Sequence, residues 1–234
     1  MTVRPADIHR MGPYRNDITL PEEIQRRLDR WRGIGALLLV ALYAWDAWEW
    51  NETFLPIHLM NTAIHESGHA IFGTVSGNNE LVTLVMGNGW ETLFPLIIGV
   101  WFLVRRKNWV AFGICMAWVA NTLVDAAVYI YDAPRGALPL IGLGSWSDAG
   151  AAQLGDWARI LGPEHYDKLF LADPIARDVR HVAVAFILVA FGSIIAGLVV
   201  NQRRLRELEQ GPRQIRAATP REPLTPVAPE EMWR

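Results

Sequence analysis

Two histidines and a glutamate lie close together in an apolar part of the chain, in the sequence His65-Glu66-Ser67-Gly68-His69. Residues four apart share one face of a helix, so both imidazoles can bind the same Zn²⁺ ion. The intervening glutamate can then act as a general base on metal-bound water. Ionisable groups within a membrane-length hydrophobic segment are costly and usually mark a functional site. The alternative is a polar contact between helices, in which the histidines bond to backbone carbonyls.

A catalytic zinc site needs a third protein ligand, because such sites usually have three protein groups and a water. Asp125 is the only carboxylate deep within an apolar helix, and Asn121 lies one turn before it on the same face. We therefore predict that Asp125 is a metal ligand and that Asn121 orients a ligand or holds a substrate strand. For both residues the alternative is a polar contact between helices.

Other candidates for the third ligand lie nearer the ends of the apolar segments. Asp132 shares the face of Asp125 but lies at the expected membrane interface, where a solvated carboxylate is common. Asp156 could fold back over the site from a loop, although a residue at a helix start is the simpler interpretation. The remaining downstream candidates are Glu80, Glu91, Asp148, His165 and His181.

The composition indicates a membrane protein. The chain has 234 residues, of which 51% are hydrophobic, and it contains 11 tryptophans. A formal net charge of −2 argues against a nucleic-acid partner. The single cysteine, Cys115, excludes an intramolecular disulfide. Residues 1–30 lack the apolar core of a cleavable signal peptide, so the first hydrophobic segment is expected to direct membrane insertion.

The sequence divides into three regions. Residues 1–30 form a basic head, and residues 31–200 form a membrane-embedded domain with an extramembrane loop at 132–180. Residues 201–234 form a basic, proline-rich tail that we expect to be disordered.

The hydrophobic segments predict an all-α, multi-pass membrane fold with four to five transmembrane helices. The apolar helical segments are expected at residues 33–43, 55–75, 91–104, 109–131 and 181–200. Residues 81–86 predict a short β-prone stretch, because they are apolar or β-branched and Gly87-Asn88-Gly89 follows them. Two short helices are expected in the loop, around Trp157 and Tyr166.

Basic residues constrain the membrane topology. They cluster in the head, at Arg105-Arg106-Lys107 and in the tail, so all three regions are predicted to be cytoplasmic. Five simple crossings would place the head and the second cluster on opposite sides. The conflict disappears if residues 55–89 enter the membrane and return to the outer face, which is tolerated where the backbone lines a cavity. We therefore favour four crossings and one re-entrant element, with five plain spans as the alternative.

The motif beginning at His65, the later helix with Asn121 and Asp125, and the intervening β-prone segment resemble the site-2 protease family of intramembrane zinc metalloproteases. The resemblance covers residues 55–131. It implies a core of helices with zinc inside the membrane. The chain departs from the family in one motif, since Asn121 and Asp125 are only four residues apart, with no proline or glycine between them. It therefore resembles a divergent member.

The resemblance also implies site roles and partners. It makes His65, His69 and Asp125 the zinc ligands and Glu66 the base that hydrolyses a peptide bond in a membrane-protein substrate. The lipid bilayer is the other expected partner, and a bacterial inner membrane is the expected location. One alternative is a zinc-binding scaffold or partner subunit without hydrolytic activity. Another is a different membrane enzyme with this histidine motif, in which Glu91 or Glu164 is the third ligand.

Overall fold

The computed structural model describes residues 22–48, 56–138 and 155–218. They form six α-helices, with a 3₁₀ turn at Leu169–Leu171, and no strand lies among them. The helices are α1 (Glu22–Trp48), α2 (Pro56–Val75), α3 (Glu80–Arg106), α4 (Trp109–Asp132), α5 (Asp156–Leu161) and α6 (Ala172–Ala218). Helix α4 packs against α6, α3 and α1, whereas α2 packs mainly against α3. The all-α prediction is confirmed.

Glycines bring the neighbours of α4 into close contact with it. A Cβ at Gly113 would lie 2.8 Å from the Ala190 carbonyl oxygen, and one at Gly99 would lie 2.9 Å from the Cβ of Cys115. Helices in a membrane associate through such close packing at small residues, since lipid supplies little hydrophobic drive between them. The glycines therefore allow α3 and α6 to pack tightly on α4.

Contacts at Gly33 and Gly197 place segments of three helices at one end of the bundle. Gly33, near the middle of α1, packs against Leu198 of α6. The adjacent Gly197 packs against Trp109 and Val110, which begin α4 directly after the basic cluster at 105–107. The start of α1, the α3–α4 turn and the C-terminal part of α6 therefore lie together.

Helices α2 and α3 form a tight hairpin. The chain turns through Gly77 and Asn78, both with positive φ (66° and 62°), a conformation that glycine and asparagine adopt at low cost. The Asn79 side chain then caps α3 by accepting a hydrogen bond from the Val82 N–H at 3.1 Å. A Cβ at Gly68 would overlap the Met86 carbonyl oxygen, so glycine at this position lets the two backbones approach.

The prediction of a β-prone stretch at residues 81–86 is wrong, because these residues form the first turns of α3. The Asn79 cap starts a helix before them, and α2 packs along it. Gly87-Asn88-Gly89 continues the helix instead of making a turn. Strand propensity reflects side-chain packing more than backbone preference, so packing against α2 overrides it here.

The remaining helix boundaries agree with the sequence in part. Helices α2 and α4 lie where the sequence predicts them, whereas α3 begins eleven residues early, at Glu80 rather than at 91. A short helix does surround Trp157, but Tyr166 lies in a turn, with the 3₁₀ helix following at Leu169–Leu171. Helix α6 continues to Ala218, so the first part of the expected disordered tail is helical. Residues 1–21 and 219–234 lie outside the described residues.

Three helices in the described part of the chain are long and apolar enough to cross a membrane. They are Glu80–Arg106, Trp109–Asp132 and Leu169–Arg203. Length and composition therefore indicate a multi-pass membrane protein, with fewer qualifying helices than the four to five that the sequence predicts.

Candidate metal centre

His65 and His69 lie one turn apart on α2 and face α3. Their ring centroids are 4.7 Å apart, and the two Nε2 atoms are 3.0 Å apart. Gly87 makes room for both rings on α3, since a Cβ there would lie 2.7 Å from each Nε2 atom. The helix spacing of the motif and the glycine opposite it together bring the two imidazoles to one point.

The other nitrogen of each imidazole contacts a hydrogen-bond acceptor on α3. His69 Nδ1 lies 2.8 Å from the Thr83 carbonyl oxygen, which can only accept, so Nδ1 carries a proton. His65 Nδ1 lies 3.2 Å from Glu91 Oε2, an oxygen that also accepts from the Asn88 amide at 3.1 Å. In neutral imidazoles with these tautomers, the lone pairs of both Nε2 atoms point toward each other. Metal-binding histidines show this arrangement, in which the second nitrogen donates to a carboxylate or a carbonyl.

Asp156 supplies a carboxylate at the same point. Its Oδ2 atom lies 3.1 Å from His65 Nε2 and 3.0 Å from His69 Nε2. Among the described residues, these three form a cluster of potential ligands, which we call the metal cluster. Tetrahedral zinc with bonds of about 2.0–2.1 Å holds its ligand atoms roughly 3.3 Å apart, so the observed triangle is close to the required size. Two imidazoles and a carboxylate also form a donor set that suits zinc.

The charge of Asp156 suits a cation site. Burial raises the pKa of this carboxyl, but hydrogen bonds and charge interactions with the protonated forms of His65 and His69 hold it well below the usual range. The carboxylate is therefore ionised at neutral pH.

Asp156 is the first residue of α5. The same helix carries Arg159, which pairs with Glu80 on α3 and with Glu164. The loop carboxylate thus folds back over the histidines.

Asp125 and Asn121 lie in a different cluster. Asn61 of α2 donates through Nδ2 to Asp125 Oδ2 at 2.7 Å and to Asn121 Oδ1 at 2.8 Å. Its own Oδ1 accepts from Trp118 Nε1 at 2.8 Å, and His58 Nδ1 lies 3.0 Å from Asp125 Oδ1. We call these five residues the Asn61 cluster. The structure does not bring Asp125 or Asn121 into the metal cluster, and their contacts are the polar helix–helix contacts of the alternative interpretation.

The other predicted site residues also have defined positions. Glu66 is half-buried on α2, directly after His65. Asp132 lies at the end of α4, where its carboxylate accepts from the backbone N–H groups of Ala137 and Leu138 at 2.9 and 3.1 Å. Asp132 therefore stabilises the chain reversal after α4 and contributes nothing to the metal cluster.

Three residues near the two histidines have roles that the sequence did not indicate. Thr83 acts through its backbone, and its side-chain type gives no signal for that. Glu91 and Asn88 are 3% and 6% exposed, and they orient His65 from inside the hairpin. A signal does exist for Glu91, a carboxylate at the start of a predicted apolar helix, although it suggested a ligand rather than a partner of one.

An open groove of about 420 Å³ lies beside the metal cluster. His69 is at its edge, and the C-terminal half of α2 and the start of α3 form its walls. Small and hydroxyl side chains line it, including Ala70, Gly73, Thr74 and Thr83. The charged side chains of Glu80 and Arg159 also line it.

Comparisons with known proteins show no family for this chain. No protein-family model matches it, and no solved structure matches it. The chain is similar to the enfumafungin synthase of Hormonema carpetanum, with 26% identity over 132 residues. That match covers 55% of this chain but 9% of the other protein, so the chain corresponds to a small part of that protein's length.

Proposed function

We propose that this chain is an intramembrane zinc metallopeptidase with His65, His69 and Asp156 as its metal ligands. The observation that carries the proposal is the convergence of two Nε2 atoms and a carboxylate oxygen within 3.1 Å of one another. Both imidazoles have acceptors on their other nitrogen, as ligand histidines do. The third ligand therefore differs from Asp125, the residue that the resemblance to site-2 proteases implies.

The chemistry assigns a role to Glu66. Zinc held by His65, His69 and Asp156 would supply Lewis-acid chemistry, polarising a scissile carbonyl and lowering the pKa of a water molecule. Glu66 would act as the general base, taking a proton from the attacking water and giving it to the leaving amine. The water oxygen bonds to the carbonyl carbon, the C–N bond breaks, and the products are a carboxylic acid and an amine.

The substrate is a membrane-protein segment that has locally lost its helix, because an intact helix hides its peptide bonds. The groove beside His69 supports this, since it is open and its α2 wall carries the small side chains of Ala70, Gly73 and Thr74. Residues 81–86 cannot pair with such a segment as a β-strand, because α3 engages them in its own helical hydrogen bonds. Recognition would therefore come from the α2–α3 groove and from α5 above it.

The topology that we propose has four crossings (α1, α3, α4 and α6) and a re-entrant α2. Helices α1 and α2 run in the same direction, because α1 starts at the basic end and α2 ends beside the start of α3. Residues 49–55 connect them, and seven residues span at most about 25 Å. That is less than the ~30 Å of a bilayer core, so α2 begins within the membrane. The basic end would face the cytoplasm.

Thiol labelling tests this topology. In a Cys115→Ala background, Arg106→Cys should react only with reagent on the cytoplasmic side, and Ser147→Cys only with reagent outside. Labelling of position 106 from outside would favour five plain spans.

A different third ligand receives less support. Glu91 contacts Nδ1 of His65, on the side of the ring opposite the Nε2 pair, which suits a residue that orients the ligand. Glu164 pairs with Arg159 on the exposed side of α5. Neither position suits direct coordination together with His69.

Zinc content and proteolysis together test the function. Purified wild-type protein should hold about one zinc ion per chain, and His69→Ala should remove most of it. The matched variant Glu66→Gln should keep its zinc and lose cleavage of membrane proteins, because Glu66 is a base and not a ligand. A proteomic comparison of membranes containing wild-type or Glu66→Gln protein would identify substrates.

The outcomes separate the alternatives. Zinc without any difference between the two membrane proteomes would favour a non-hydrolytic scaffold or partner subunit. A well-folded wild-type protein without zinc would overturn the metal centre itself.

A further inference from the structure

We infer that Asn88 couples the docking of α5 to the orientation of His65, as the central link of a chain of hydrogen bonds. The inference rests on the metal centre of the proposed function and does not require peptidase activity. It makes Asn88, Glu91 and Trp157 positioning residues, which act on the metal through His65 and Asp156.

Three hydrogen bonds connect helices α5, α3 and α2. Trp157 donates through Nε1 to Asn88 Oδ1 at 2.8 Å. Asn88 donates through Nδ2 to Glu91 Oε2 at 3.1 Å, and His65 Nδ1 lies 3.2 Å from the same oxygen. The two ends of one amide therefore link the helix that carries Asp156 to the carboxylate that orients His65.

Burial makes the loss of these hydrogen bonds costly. Asn88 and Glu91 are 6% and 3% exposed, so water cannot readily replace a lost partner. A carboxylate acceptor on Nδ1 fixes the tautomer that exposes the Nε2 lone pair to a metal. The Asn88 amide in turn fixes Glu91, because it donates to the same oxygen as His65. Loss of Asn88 should therefore loosen the His65 ring as well as α5.

Helix α5 is short, and Ala158 and Leu161 hold it in an apolar cluster with residues of α4 and α6. It has six residues, and Asp156 immediately precedes Trp157. The side chains of Arg159, Glu80 and Glu164 are 38%, 52% and 51% exposed, and surface ion pairs of this kind contribute little. The part-buried Trp157–Asn88 hydrogen bond is a directed contact beside this apolar packing, and it fixes the end of α5 that carries Asp156.

The test uses the full-length protein in detergent with three variants. Asn88→Ala removes the hydrogen bonds of Asn88 to Trp157 and to Glu91. Trp157→Phe removes only the indole N–H and keeps an aromatic ring. Trp101→Phe is the matched control, since Trp101 is 45% exposed on α3 and contacts Arg106. Three quantities are measured: the zinc affinity, the visible spectrum of bound Co²⁺, and hydrogen exchange of residues 156–161 without metal.

We expect Asn88→Ala to weaken zinc binding about 10- to 100-fold, as loss of such supporting residues usually does. Its Co²⁺ bands should shift and α5 should exchange faster. Trp157→Phe should weaken binding less but accelerate exchange of α5 similarly, and Trp101→Phe should match wild type. In the double variant that combines Asn88→Ala with Trp157→Phe, the loss of zinc affinity should be smaller than the sum of the two single losses, because both substitutions break the same series of hydrogen bonds.

A second pair of variants separates positioning from general destabilisation. Glu91→Gln keeps an oxygen that can accept from His65 Nδ1, whereas Glu91→Ala does not, so Gln should recover part of the lost zinc affinity. If Asn88→Ala fails to fold, the milder Trp157→Phe decides the question alone. Wild-type zinc affinity and wild-type exchange in Trp157→Phe would overturn the inference. Wild-type protein that binds neither zinc nor Co²⁺ would instead overturn the metal centre.

Discussion

Helix α2 contributes to two polar clusters that contain similar residue types but face different partners. The metal cluster combines His65 and His69 with Asp156, and the Asn61 cluster combines His58 and Asn61 with residues of α4. In the Asn61 cluster, donors meet acceptors, with the Asn61 amide and the Trp118 N–H pointing at oxygens. In the metal cluster, three potential metal-donor atoms converge on each other. Only the metal cluster needs a cation or protons between its members.

The comparison also separates burial from function. The Asp125 side chain is 7% exposed and the Asp156 side chain 25% exposed, so the more deeply buried carboxylate is not the one beside the histidines. A carboxylate inside an apolar helix is costly, but hydrogen-bonding partners such as Asn61 and His58 offset part of that cost without a metal. A metal site that must admit water and substrate requires partial exposure.

Removal of one carboxylate from each cluster should give the largest contrast. We expect Asp156→Ala to weaken zinc binding by orders of magnitude, because two protein donors remain. Asp125→Ala should leave zinc affinity within a few-fold of wild type and destabilise the fold by about 1–3 kcal/mol, since it removes the contacts of Asp125 with His58 and Asn61. Zinc titration and thermal unfolding in detergent measure the two effects. Loss of zinc from Asp125→Ala but not from Asp156→Ala would restore the ligand set predicted from the sequence.

A single methyl group on α3 should have the next largest effect. In Gly87→Ala the new Cβ would lie 2.6–2.7 Å from atoms of both imidazoles, so the rings must move away from α3 and out of their present positions. We expect about a 10- to 100-fold loss of zinc affinity, comparable to the loss of a supporting residue. Gly192→Ala is the matched control, because a Cβ there meets nothing within 4 Å and the residue is also helical. Equal zinc affinity in the two variants would mean that α3 does not hold the histidines in place.

The sequence predicts a helix well where an apolar run has clear helix-breaking residues at its ends. Helices α2 and α4 follow from apolar runs with breakers at their ends, such as Gly77-Asn78-Asn79 after α2. The start of α3 was mispredicted because Gly87 has two possible roles, and a sequence cannot tell a turn glycine from one that admits a packed side chain. Here the glycine admits two imidazoles, and that role requires the fold to be known.

The candidate site follows from the sequence as far as local spacing determines it. His65, Glu66 and His69 share a helix, so their relation is fixed by helix geometry. Asp156 is 87 residues beyond His69, and the intervening turns decide where it lies. Depth within an apolar segment favoured Asp125, but depth alone does not distinguish a ligand from a hydrogen-bonded carboxylate. The partner that makes the distinction, Asn61, lies one turn before His65 and was not assigned a role.

Loss of the central amide of the Asn61 cluster should change stability more than metal binding. Asn61→Ala removes three hydrogen bonds at a residue that is 1% exposed, so Asp125, Asn121 and Trp118 each lose one hydrogen bond. We expect a loss of about 1–3 kcal/mol in the free energy of unfolding. Zinc affinity should stay within a few-fold of wild type. Asn201→Ala, at an exposed position of α6, should change neither quantity.

The smallest expected effect comes from one N–H group in the same cluster. Trp118→Phe removes the donor to Asn61 Oδ1 but keeps an aromatic ring for the edge-to-face contact with Phe94, whose centroid lies 6.0 Å away. We expect a destabilisation of about 1 kcal/mol, the usual net contribution of one hydrogen bond, with zinc affinity unchanged. Thermal unfolding and zinc titration of the same preparation measure both. A loss of zinc as large as that in Gly87→Ala, with little loss of stability, would mean that the two clusters act as one site.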